Sequence, residues 1–179
     1  MTWGYESDPG YFAQDHRELM DNQKATLQSW LWDSCPGETI GFVRGRLAHV
    51  LFKKEEVDKR VRDLSGGEAA RLIFAKLGVT KPTVLVLDEP TNHLDLEGIE
   101  ALAEGLEAYD GTIIFVSHDR WFASRLATRI LEIRPDGLED FPGTYEEYLH
   151  RCGDDHLDVE SVVRAERRKK RAAARSTGE

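Results

Sequence analysis

The chain has 179 residues, 40% of them hydrophobic, which is enough for one domain with a buried core. No apolar run approaches the roughly 20 residues of a membrane helix, no signal peptide opens the chain, and Cys35 and Cys152 lack the spacing of a disulfide framework or zinc site. The expectation is a cytoplasmic protein. The formal net charge of −9 is unevenly spread. Arg164, Arg167, Arg168, Lys169, Lys170, Arg171 and Arg175 crowd the tail, against only Glu166 and Glu179, and leave the body strongly acidic. Nucleic-acid contact is therefore open to the tail and disfavoured for the body.

In chain order, the opening "MTWGYESDPGYFAQDH" gives short aromatic, strand-like pieces broken at Asp8-Pro9-Gly10. Leu19, Met20, Leu27, Trp30 and Leu31 predict an amphipathic helix from Arg17 to about Trp32, ended near Pro36-Gly37. "IGFVRGRLAHVLF" predicts a second helix and "KKEEVDKRVRDL" a short charged one. "LSGGE" at 64–68 then opens a further helix, "AARLIFAKL".

Beyond it the pattern changes. "TVLVLDEP" and "GTIIFVSHDR" predict two buried strands, and "LEGIEALAEGLEAY" between them a helix with Leu96, Ile99, Leu102, Ala103 and Leu106 on one side. Strand, helix, strand at this spacing is a βαβ unit with parallel strands. "RILEIRPDGLEDF" reads as a hairpin turning at Pro135-Asp136-Gly137, and "TYEEYLHR" as a helix whose capping box is Thr144 and Glu147.

Taken alone, Ser65 and Glu68 form the S-x-x-E of an ordinary capping box, while Gly66 and Gly67 would also admit an anion to the N–H groups of a helix start. The neighbouring acids favour the second use. Asp88 and Glu89 close a buried strand at its carboxyl end, where parallel-sheet proteins bind ligands. Asp88 suits a hydrated Mg²⁺, and Glu89 could orient and deprotonate an attacking water. Ser117-His118-Asp119, at the tip of the next strand, offers an imidazole to a transferred phosphate. A phosphate-binding loop of the form G-x-x-x-x-G-K-[ST] does not occur in these residues.

"LSGGE", "VLVLDEPTNHLD" and "FVSHDR", in this order, resemble the signature, Walker B segment with D-loop, and switch histidine of an ATP-binding cassette. "GYFAQDH" resembles the Q-loop. "TNHLD", "VSHDRWF" and the late "GTYEEYL" are similar to the F subfamily, and the spacing is most like the second cassette of its YbiT-type branch.

The resemblance implies an α/β fold of the P-loop NTPase kind: an incomplete parallel-sheet core with an inserted helical subdomain. Residues 1–16 would be a strand remnant and the Q-loop, 17–64 the helical subdomain, 65–151 the rest of the core, and 152–179 a charged tail. It implies ATP and Mg²⁺ as ligands, with Gln14 sensing the γ-phosphate and metal. Ser65, Gly66, Gly67 and Glu68 would be the signature, Asp88 the metal residue, Glu89 the base, Asp95 the D-loop acid and His118 the switch. His93 receives no role beyond a polar loop position. The implied partners are the other cassette of a longer chain and the ribosome, with no membrane domain. A signature turn serves a nucleotide held by the other cassette, so it needs no phosphate loop of its own. Glu89 and His118 do need one, and these residues alone should not hydrolyse ATP. A transporter's ATP-binding subunit and a non-catalytic truncated product are the alternatives.

Overall fold

The computed structural model describes residues 3–134 and 137–152. It divides into two compact units, Met1–Ser117 and His118–Glu179, each taken by itself below. The basic tail and the Pro135-Asp136 part of the expected turn lie outside the described residues.

The first unit joins a helical layer to a parallel sheet. β1 (Pro9–Phe12), β2 (Val84–Asp88) and β3 (Thr112–Val116) run parallel in the order β1-β2-β3. The register pairs Phe12 with Leu87, Leu87 with Phe115, and Asp88 with Val116. The carboxyl ends of all three strands therefore share one edge, and the parallel pairing of β2 with β3 is the one the βαβ reading required.

The stretch expected to form one helix from Arg17 to Trp32 is broken. A 3₁₀ turn (His16–Leu19) comes first, and the α-helix α1 covers only Leu27–Trp32. Asn22 between them takes a left-handed backbone (φ 41°), and the Thr26 hydroxyl caps α1 by accepting from the Ser29 N–H. Apolar spacing read across that break joined two elements into one. α2 (Ile40–His49) forms where expected, capped by Thr39. "KKEEVDKRVRDL" gives two 3₁₀ turns, Lys54–Glu56 and Val61–Asp63, instead of a helix.

α3 (Gly66–Thr80) is the long helix of this layer and packs with α1 and α2. Leu27, Leu31, Val43, Leu47 and Leu72 fill the space between them and are fully buried. Trp30 joins the layer and satisfies its indole N–H on the Asp21 carbonyl at 3.0 Å. Phe74 of α3 stacks on Phe12 of β1, with ring centroids 4.4 Å apart, which ties the helical layer to the sheet.

α4 (Leu96–Glu107) lies between β2 and β3 in sequence and buries Gly98, Leu102, Ala103 and Leu106. Leu96, expected on the same apolar side, is instead 81% exposed at the first position of the helix. β3 also departs from expectation. It pairs only with β2 among the described residues, and Ile114 (47%) and Val116 (60%) stay exposed.

The second unit contains α5 (Arg120–Leu126), β4 (Ile130–Arg134), β5 (Gly137–Phe141) and α6 (Tyr145–Cys152). α5 was not anticipated, although Asp119 caps it by accepting from the Phe122 N–H at 3.0 Å. β4 and β5 form the expected antiparallel hairpin, with Ile133 opposite Leu138. The Thr144–Glu147 capping box is present at the start of α6. The Tyr148 hydroxyl donates to Glu132 at 2.7 Å, so burial and that carboxylate together push its pKa up.

Candidate functional site

The structure gathers the candidate residues of the first unit into two places. One is a cleft of about 380 Å³ at the start of α3, lined by Ser65, Gly66, Gly67, Glu68, Arg71, His93, Leu94 and Asp95. The other is the rim formed by the carboxyl ends of the parallel strands.

At the cleft, the capping box is fully formed. The Ser65 hydroxyl accepts from the Glu68 N–H at 3.3 Å, and the Ser65 N–H donates to the Glu68 carboxylate at 2.7 Å. The Lys59 ammonium lies 2.8 Å from both oxygens of that carboxylate. Burial alone would raise the Glu68 pKa, but Lys59 and the Ser65 donors outweigh it and lower the value. Glu68 is thus committed to holding the turn in shape. The Ser65 hydroxyl, acting as acceptor in the box, can still donate its own proton outward. The helix start places Gly66 and Gly67 in the first turn of α3, at the positive end of its dipole. A capping box and an anion cradle are therefore compatible in one turn.

His93, Leu94 and Asp95 close the other side of this cleft. Asp95 caps α4, its Oδ1 accepting from the Gly98 N–H at 2.9 Å. His93 sits in the left-handed region (φ 69°), and its carbonyl faces Gly67. A β-carbon on Gly67 would lie 2.5 Å from that carbonyl oxygen, so only glycine fits. Sequence reading missed both His93 and Lys59. Neither residue type at its position carries a signal, because the contacts depend on how the chain returns.

At the rim, Gln14 lies exposed two residues beyond β1. Asp88 ends β2 and is half-buried. Glu89 follows it in a left-handed conformation (φ 48°), 7% exposed, its N–H donating to the Val116 carbonyl at 2.9 Å. That bond fixes the turn after β2 to the end of β3. Buried Thr91 approaches Ser117, with hydroxyl oxygens 3.5 Å apart. His118 comes directly after Ser117 and opens the second unit.

No group of three or more His, Cys, Asp or Glu among the described residues could by itself hold a metal ion.

The family model described as ABC transporter matches residues 6–92. "Probable ATP-binding protein YbiT" of Escherichia coli O157:H7 is 48% identical over 155 residues, covering 86% of this chain and 29% of that protein. The chain is thus similar to ABC-type ATPases over residues 6–92 and along most of its length. "ABC transporter F family member 5" of Arabidopsis thaliana is 42% identical over 143 residues, covering 80% of the chain and 20% of that protein. "Energy-dependent translational throttle protein EttA" of Escherichia coli K12 is 40% identical over 159 residues, covering 82% and 28%. The chain thus spans 20–29% of the length of these relatives.

Among solved structures, the ATP-binding cassette MJ0796, as a dimer in a post-hydrolysis state with ADP and Pi, matches with a TM-score of 0.55 at 21% identity. The match covers 70% of this chain and 58% of that one, and establishes the α/β cassette fold. Among the described residues no helix is long and apolar enough to cross a membrane.

Proposed function

We propose that this chain supplies the signature turn, D-loop and hydrolytic rim of an F-type cassette ATPase that acts on the ribosome during translation. The observation that carries the reading is the pairing of an LSGGE turn, at a 15-residue helix start, with an Asp-Glu pair ending the central strand of a parallel sheet. The similarity to F-named and translation-named relatives supports the finer assignment.

In this reading Ser65 and the Gly66 and Gly67 amides bind the terminal phosphate of a nucleotide held by a partner cassette. The α3 dipole favours that negative charge. Glu68 and Lys59 keep the turn in shape. Asp88 would hold Mg²⁺ through water, which would supply positive charge against the phosphates, and Gln14 would sense the γ-phosphate and that metal. Glu89, in its water-poor position, orients the attacking water and takes its proton, while His118 contacts the transferred phosphate. The phosphates themselves must be fixed by a phosphate-binding loop, because positioning dominates phosphoryl transfer.

The test is a chimera in which this chain replaces the matching 155 residues of the YbiT protein. ATP turnover by the chimera, none by the 179-residue chain alone, and ATP-dependent co-sedimentation with ribosomes are expected. A chimera that folds and binds ATP but neither turns it over nor meets ribosomes would sink the reading.

A further inference from the structure

We infer that His93 is a positioning residue that holds the D-loop against the signature turn of the same chain, so that the two move as one body. The inference rests on the reading above and concerns how its phosphate-binding turn is kept in place. Two contacts carry it. A β-carbon on Gly67 would meet the His93 carbonyl oxygen at 2.5 Å, a backbone atom that cannot swing aside. A β-carbon on Gly66 would sit 3.6 Å from Cβ and Cγ of His93, in ordinary packing distance of its side chain. One residue thus meets both glycines of the turn.

The segment that delivers His93 is fixed on both sides. Upstream, the Asn92 N–H donates to the Glu89 carbonyl at 3.1 Å, and across His93 the Leu94 N–H donates to the Thr91 carbonyl at 3.2 Å. Downstream, Asp95 is locked as the cap of α4. Between them His93 must take a left-handed backbone to aim its carbonyl at Gly67. Asparagine accepts that conformation readily and a β-branched residue does not. Asp95, which the reading above places on the D-loop, lies two residues on and shares the cleft. Its position relative to Ser65 is set through this contact.

The experiment compares Gly67→Ala, His93→Val and His93→Asn with the parent. In the full chain, hydrogen exchange is read on peptides covering 64–68 and 91–96. Gly67→Ala should speed exchange in the second peptide and His93→Val in the first, while His93→Asn changes neither. In the YbiT chimera, Gly67→Ala and His93→Val should each lower ATP turnover about tenfold, and the double variant no further, because coupled residues are non-additive. His93→Asn should stay within about twofold of the parent. Unchanged exchange in both peptides, additive losses, or losses that simply follow the melting temperature would overturn the inference. A parent chimera without turnover would instead count against the proposed function, with the exchange result still deciding this point.

Discussion

β2 and β3 are made of the same material and end in different surroundings. Val84-Leu85-Val86-Leu87 and Ile113-Ile114-Phe115-Val116 are both continuous apolar runs, paired in register. β2 has a strand on each edge, and Leu85 and Leu87 are buried. β3 has one neighbour among the described residues, and Ile114 and Val116 are 47% and 60% exposed. An apolar run states that a strand requires cover, not what provides it. The chemistry follows the same division. The acids sit on the covered strand, where Glu89 is anchored to the end of β3 by the Val116 carbonyl.

The sharpest challenge to this contrast is Glu89→Gln in the YbiT chimera. The substitution keeps size and hydrogen-bonding capacity but removes the base. Turnover should fall about 10²–10⁴-fold with ATP binding retained, the usual consequence of losing general base catalysis. Single-turnover kinetics with bound ATP would check it. Full turnover by the variant would leave β2 with a buried carboxylate that has no catalytic task.

Next in size comes the packing of β2 itself. Leu87 is 1% exposed, so Leu87→Ala should destabilise the chain by about 2–5 kcal/mol through lost transfer energy and a cavity. Urea unfolding at constant m-value would measure it. A cost near that of a surface substitution would mean the middle strand is no better covered than its neighbour.

These two positions also mark how far the sequence could be read. The βαβ unit, the parallel register and the Asp88-Glu89 rim followed from local pattern, because strand composition and a closing proline are short-range signals. The break before α1 was missed, since a left-handed Asn22 is a backbone choice that apolar spacing does not encode. α5 was missed because its seven residues carry too little periodicity to register. The Lys59–Glu68 pair and the His93–Gly67 approach depend on chain segments that meet only after folding. The run of β3 reads as buried by pattern alone, and only the incomplete sheet implied by the resemblance points to its exposed apolar surface, because burial belongs to neighbours.

A smaller effect is expected at the signature turn. The Glu68 pKa is lowered in the folded chain, so its carboxylate contributes stability fully above the unfolded glutamate value of about 4.3. That contribution should fade as the pH falls through and below this value, when protonation loosens both the capping box and the Lys59 pair. Glu68→Gln should flatten the stability profile between neutral pH and pH about 3, while keeping much of the cap. An unchanged profile would assign acid sensitivity elsewhere and separate the turn from both strands.

The least costly change is expected on the exposed strand, and it tests the comparison from the opposite side. Val116 is more than half exposed, so Val116→Ser removes little buried surface. It leaves the strand's backbone bonds to β2 in place, including the carbonyl that holds Glu89. Surface substitutions of this kind fall within about 0.5 kcal/mol of neutral. An apolar sheet edge nevertheless invites pairing with other chains, and a polar residue there discourages it. Val116→Ser should therefore leave the urea midpoint almost unmoved and reduce light scattering by the concentrated chain. A loss of several kcal/mol would show that Val116 is covered in solution. β3 would then resemble β2 after all, with its cover coming from another copy of the chain.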